Sequence, residues 1–439
     1  MISRTVFMFI VLLSFLPGPA AGSDKQIKVT GQFSAPCVGS AGGTAYLQVR
    51  ITAPEDQSAE RKPLNIAVVL DRSGSMADEG KIGFARQAVR SLIDQLQPGD
   101  YFALVIYDDV VQILRESGIV RDKQKLRALV DDIYPRGATN LGGGLVAGYE
   151  QVERHCDREF LNRVVLVSDG LANRGVTDTE ELQGIARRFR SRSISVTTMG
   201  VGLEYNENLM MGLSQSGGGN YYFIESPGSL GPIFHQELRS MATIAAQNAI
   251  LELSLADGVH LRDVIGCEQH REGRHITIPI GDLYAGEERR LTVELEIPGG
   301  HGTIEAVKGT LRYDGKHGWL DQWPAFSANI RYGRTLAEIE QSRDPVIQAQ
   351  VDVALSTRNV DRAMKALDAG NRDAAMRELK SAQATVMMSP AVISEGAGGA
   401  ILSNQRLKLE AFRRMITDSV DLRKAKKAIQ FENYQTQKR

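Results

Sequence analysis

Cysteine is almost missing from this chain: three residues in 439, Cys37, Cys156 and Cys267. So sparse a set excludes a disulfide-dense scaffold, and no cysteine or histidine spacing suits a structural zinc site. Net charge is missing as well, with 52 Lys and Arg against 53 Asp and Glu, which gives no global attraction to nucleic acid. There is no GxxxxGK phosphate loop and no GxSxG at a strand end, and none of the seven histidines adjoins the oxygen-bearing residues described below. His155 and Cys156 are neighbours, but adjacent helical residues point apart and form no dyad. Hydrolysis at a cation would need a positioned base, and none is visible. These gaps point away from an enzyme and towards a binding protein.

What is present begins with an export pattern. Arg4, the apolar run Val6 to Leu16, a Pro-Gly-Pro break and the small residues Ala20, Ala21 and Gly22 read as a signal peptide over 1–22. The expected destination is the periplasm or cell envelope, an uncleaved signal acting as an anchor being the alternative. No later apolar run reaches about 18 residues, the length a spanning helix needs. In a compartment that permits disulfides, Cys37 and Cys267, both in β-rich segments, are the pairing to expect, against three buried or free thiols.

The strongest chemical pattern joins three short segments. Asp71, Ser73 and Ser75 close the apolar run of LNIAVVLDRSGSM, Thr139 lies in GATNLGGGL, and Asp169 ends VVLVSDG. Residues 64–70 and 164–167 have no helical spacing and read as strands buried on both faces. The turn after Asp71 enters a helix with Ile82, Ala85, Val89, Leu92, Ile93 and Leu96 at helical spacing. Gly142 to Gly144 open another helix, and their small size would let backbone and cation approach closely. In a doubly wound sheet, ligands collect beyond the carboxyl ends of parallel strands. Two carboxylates and three hydroxyls gathered there suit a hard divalent cation, Mg²⁺ or else Mn²⁺ or Ca²⁺. Singly, each could be no more than a helix cap.

Together these segments resemble a von Willebrand factor A (VWA) domain with a metal-ion-dependent adhesion site (MIDAS), the module also found in integrins. The resemblance runs from about Pro63 to about Gln247 and takes in YFALVIYDDVVQIL and SVTTMGVGLEYNENLMMGLSQSGGGNYYFI. It implies a doubly wound, mainly parallel α/β sheet, with Asp71, Ser73, Ser75, Thr139 and Asp169 as ligands, direct or through water. A Glu or Asp of a protein partner would enter the remaining position, where a third negative group is welcome. Asp78 and Glu79 sit where related modules carry a second cation, although carboxylates early in a helix also favour its positive end. Asp108 and Asp109 read as the polar tip of a hairpin. By analogy with integrins, the last helix, placed at Ser229 to Gln247, has the option of passing binding to a neighbour. The other reading is a subunit of an assembly or metal-insertion machine working beside an AAA+ ATPase, against which a functional signal peptide weighs.

The flanks read as two halves of one β-sandwich, 23–62 and 248–334, with the central unit (63–247) inserted between them. Residues 335–439 turn helical. Val360, Ala363, Met364 and Leu367, then Ala375, Leu379 and Ala382, with Gly370 between, form a helical hairpin. It is similar to a single tetratricopeptide-like unit. A final helix from about Ile401 carries ten Lys or Arg against four Asp or Glu from Gln405 onward. That face suggests a peripheral membrane contact or an acidic partner, against an ordinary solvated helix.

Overall fold

The computed structural model describes residues 26–55, 61–315, 323–393, 396–419 and 421–438, so the expected signal peptide lies outside the described residues. Three strands come first, β1 (Lys28–Phe33), β2 (Cys37–Gly39) and β3 (Gly43–Thr52). The chain then leaves for the central unit. There β4 (Leu64–Asp71), β5 (Tyr101–Tyr107), β6 (Val111–Ile119), β7 (Leu161–Ser168), β8 (Ser195–Val201) and β9 (Gly218–Ile224) form one sheet in the order β6-β5-β4-β7-β8-β9. All its pairs are parallel except β5 with β6, as a doubly wound sheet requires. Every residue of β4, β7 and β8 is buried, because helices cover both faces.

Helices α1 (Lys81–Gln95), α2 (Lys123–Asp131), α3 (Leu141–Glu153), α4 (Thr179–Arg190), α5 (Glu207–Ser216) and α6 (Leu230–Ala242) divide between those faces. Val89, Val130 and Phe234 join the core on one side; Leu145, Ala186 and Leu213 join the core on the other. Two glycines of α3 serve this packing. A side chain on Gly144 would lie 2.5 Å from the Tyr107 ring, and one on Gly148 would lie 2.3 Å from Val69.

After α6 the chain returns to the flanking sheets through β10 (Ile244–Leu255), β11 (His260–Val264), β12 (His270–Glu272), β13 (His275–Tyr284), β14 (Glu288–Ile297), β15 (Thr303–Gly315) and β16 (Ala325–Gly333). Two sheets result, β1-β3-β14-β11 and β12-β13-β10-β15-β16-β2, with Leu47, Val49, Leu251, Leu253, Val293 and Leu311 in the core between them. The first strands therefore complete a sandwich whose remaining strands follow the inserted unit. Gln247, read from sequence as the end of the last central helix, belongs to β10 instead, since α6 stops at Ala242.

The expected Cys37–Cys267 bridge is corrected: both thiols, like Cys156, are free. Cys37 is on β2, at one edge of the six-stranded sheet, whereas Cys267 follows β11, at an edge of the other sheet. Burial pushes the Cys267 thiol up to about 11, so it is a poor nucleophile.

The C-terminal helices are α7 (Leu336–Gln341), α8 (Pro345–Asp368), α9 (Arg372–Met387), α10 (Ala397–Asp418) and α11 (Leu422–Lys438). The hairpin of α8 and α9 turns at Gly370, whose φ of +71° is the left-handed conformation glycine adopts without strain. Val360, Leu379, Leu409 and Ile429 share the core of this layer. In place of a single final helix there are two, and the last returns to the central unit. On α11, Lys426 and Lys427 both bond Glu207, at the start of α5, and the Lys438 ammonium bonds the Gly219 carbonyl at 3.0 Å. Much of the basic character of the tail is thus used within the molecule. Among the described residues, no helix is long and apolar enough to cross a membrane.

A buried polar cluster joins the central unit to the sandwich. Arg163 on β7, with no exposure, donates to Thr197 at 2.9 Å, to Glu237 of α6 at 3.0 Å and to Asp282 of β13. Glu237 also accepts from Asn220 at 2.9 Å and Tyr222 at 2.8 Å.

Candidate functional site

Strand β4 ends on Asp71 and β7 on Ser168, side by side in the sheet, so Asp71 and Asp169 meet at the carboxyl edge. Both carboxylates are fully buried. Asp71 Oδ1 accepts the Ser73 amide at 2.8 Å, and Asp71 Oδ2 accepts the Ser168 hydroxyl at 2.7 Å. The Ser73 and Ser75 hydroxyl oxygens lie 3.2 Å apart, and the Ser75 hydroxyl donates to Asp169 Oδ1 at 2.8 Å. Thr139 is brought to the same place: a side chain on Gly170 would be 3.2 Å from Thr139 Oγ1 and 3.7 Å from Ser75 Oγ. All five residues singled out from sequence share one end of the sheet.

These separations suit the cation that the donor set suggests. Adjacent oxygens of an octahedral Mg²⁺ shell, at 2.0–2.1 Å from the ion, stand roughly 3 Å apart. Burial pushes the Asp71 carboxyl up to about 6; the bonds from Ser168 and Ser73 oppose this, and the Asp169 charge adds to it. Two carboxylates buried together call for positive charge beside them.

Part of that charge comes from a residue the sequence reading passed over. Lys81, the first residue of α1, is only 4% exposed, and its ammonium lies 2.8 Å from Asp169 Oδ2. Its stem runs along Gly202, where a side chain would come within 3.2 Å of Lys81 Cε. A signal was available: a lysine opening a helix stands at the end where the macrodipole disfavours cations.

Neighbouring loops hold the ligands in register. Asp108 and Asp109 do lie between β5 and β6, but Asp108 is 1% exposed. It takes the guanidinium groups of Arg72 and Arg136, each at 2.8 Å, and the Val110 amide at 2.7 Å. Burial acts to raise the Asp108 carboxyl, yet Arg136, the Val110 amide and Arg72 outweigh it and hold it below its ordinary value. The Asp108 carbonyl accepts the Asn140 amide at 2.7 Å, and Asn173 Oδ1 accepts the Thr139 amide at 2.9 Å, which fixes Thr139 from both sides. Arg72, Asp108, Arg136, Ser168 and Asn173 are supports that sequence spacing alone does not reveal.

Asp78 and Glu79 are exposed, in a break between a short 3₁₀ turn and α1 where Glu79 has a φ of +53°. They therefore do not lie in the first turn of a regular helix. Among the described residues no three His, Cys, Asp or Glu side chains cluster to hold a metal, which leaves this pair without a third acid.

Residues 65–236 match the family model described as the von Willebrand factor type A domain. An uncharacterized protein of Synechocystis sp., sll0103, is 26% identical over 77% of this chain and 82% of its own length. The uncharacterized protein YfbK of Escherichia coli is 26% identical over 60% of this chain, and the match spans only 47% of that relative. Among solved structures, the von Willebrand factor type A protein from Catenulispora acidiphila superposes with a TM-score of 0.72 at 15% identity, over 95% of this chain and 98% of that one. The last likeness shows the fold, including the flanking sheets and C-terminal helices.

Proposed function

We propose that the chain, whose residues 65–236 match the von Willebrand factor type A domain model, is an exported, non-enzymatic binding protein that captures an acidic side chain of a protein partner through a divalent cation. Asp71, Ser73, Ser75, Thr139 and Asp169 would hold Mg²⁺, Mn²⁺ or Ca²⁺, and a Glu or Asp of the partner would complete the shell. The observation that carries this reading is the convergence of five oxygen-bearing side chains at one sheet edge, with spacings an octahedral ion accepts. Such modules are commonly interaction or adhesion modules. Export rests on the pattern of the first 22 residues.

The surface around the edge supports a protein as the ligand. Val110, Tyr134 and Leu171 are large, apolar and exposed, and they belong to the loops that carry Asp108, Thr139 and Asp169. An acidic residue set among apolar neighbours would meet both features. The test is capture of partners from envelope extract with Mg²⁺ and with chelator, using the wild type and Asp71→Ala. The expected result is a partner retained only by the wild type with Mg²⁺. Equal capture under all conditions would remove the proposal.

A further inference from the structure

Lys81 changes the charge that the site offers a cation. The two oxygens of Asp169 are divided between neighbours: Oδ1 takes the Ser75 hydroxyl at 2.8 Å, on the ligand side, and Oδ2 takes the Lys81 ammonium at 2.8 Å. Lys81 is held there. It is 4% exposed, its chain opens α1, and its stem lies along Gly202 at the end of β8. Other charges nearby are balanced or screened: Arg72 and Arg136 face Asp108 and Asp109, while Asp78 and Glu79 stand in solvent.

Asp71 and Asp169 with Lys81 therefore present a net single negative charge, where the two carboxylates alone would present two. A divalent cation leaves this site with one positive charge in excess, and one carboxylate from outside cancels it. We infer that Lys81 is a tethered counter-ion which weakens the cation held alone and makes its retention depend on an external carboxylate. This rests on the reading of the site as a cation centre and goes beyond it, because it concerns the order and coupling of binding. A positioning role alone would have the opposite signature, since losing a support loosens the ligands and weakens the cation.

The test is titration calorimetry of the full chain with Mn²⁺, with and without acetate, on the wild type, Lys81→Met, Lys81→Arg and Asp71→Ala. Lys81→Met is expected to bind Mn²⁺ at least about tenfold more tightly than the wild type without acetate, as loss of a nearby unit charge in a partly buried site implies. Lys81→Arg, which keeps the charge, should stay near the wild type. Acetate should tighten Mn²⁺ binding by the wild type and have little effect on Lys81→Met. The acetate arm needs no variant, so the lack of an effect there overturns the role even if Lys81→Met does not fold. Unchanged or weaker binding by folded Lys81→Met, or no acetate effect on the wild type, overturns the counter-ion role while the cation reading stands. If the wild type binds no Mn²⁺ even with acetate, or Asp71→Ala binds it equally well, the cation reading itself fails and takes the counter-ion role with it.

Discussion

At the scale of single residues, the site depends on groups that never reach the cation. Asp108 joins two arginines and a backbone amide, and its own carbonyl holds Asn140 beside Thr139. Asp108→Ala would leave Arg72 buried without its carboxylate. The expected cost is about 2–3 kcal/mol in denaturant unfolding, with Mn²⁺ affinity falling because Arg136, in the loop that carries Thr139, loses its carboxylate partner. Asp109→Ala, on the exposed neighbour, should cost far less. Gly144→Ala would place a carbon 2.5 Å from Tyr107 and is expected to lower stability by about 1–3 kcal/mol in the same assay. Asp71, Ser73, Ser75, Thr139 and Asp169 were legible in sequence because each follows or opens a recognisable element. Lys81 and Asp108 were less so, since a lysine on a helix and an aspartate in a turn have sufficient local explanations, and their partners lie 88 and 36 or 28 residues away.

At the scale of elements, β4 and β7 announced themselves as unbroken apolar runs, and the alternation of β3 marked a sheet with one covered face. The tail was harder to read. Between the end of α10 at Asp418 and the start of α11 at Leu422 the sequence has neither glycine nor proline, and two of the acids that receive α11, Glu204 and Glu207, lie more than 200 residues upstream. Glu207 gives this docking a pH dependence. Burial would raise its carboxyl, but the ammonium groups of Lys426 and Lys427 outweigh burial and hold it below its ordinary value of 4.5. A carboxyl lowered by folding stabilises fully above its unfolded pKa and loses that contribution as pH falls through the folded value. Protection of α11 amides from hydrogen exchange should therefore persist at neutral pH and diminish below about pH 4.5. In Glu207→Gln the protection should be lower at neutral pH and change less on acidification.

At the scale of the whole molecule, Arg163 bonds Glu237 of the last central helix and Asp282 of the sandwich, at the end of β7 away from the cation ligands. Arg163→Met would strand two buried carboxylates, an expected loss of about 3–5 kcal/mol. Calorimetry should then resolve the central unit from the sandwich as separate transitions, where the wild type gives one; a single transition in the variant would show that other contacts couple them. The same connectivity sets an order on synthesis. Strand β3 finds β1 at once, but its other neighbour is β14, and Gly43 pairs with Ile297, 254 positions later. Until that partner has been made, one side of β3 is an open edge exposed to foreign strands. Early folding of the intervening unit would bring the two ends of the gap together, since β4 and β10 both leave it at the sandwich, and would leave only a short closure to complete. The inserted domain would then serve the growing chain as its own chaperone for assembling the sandwich.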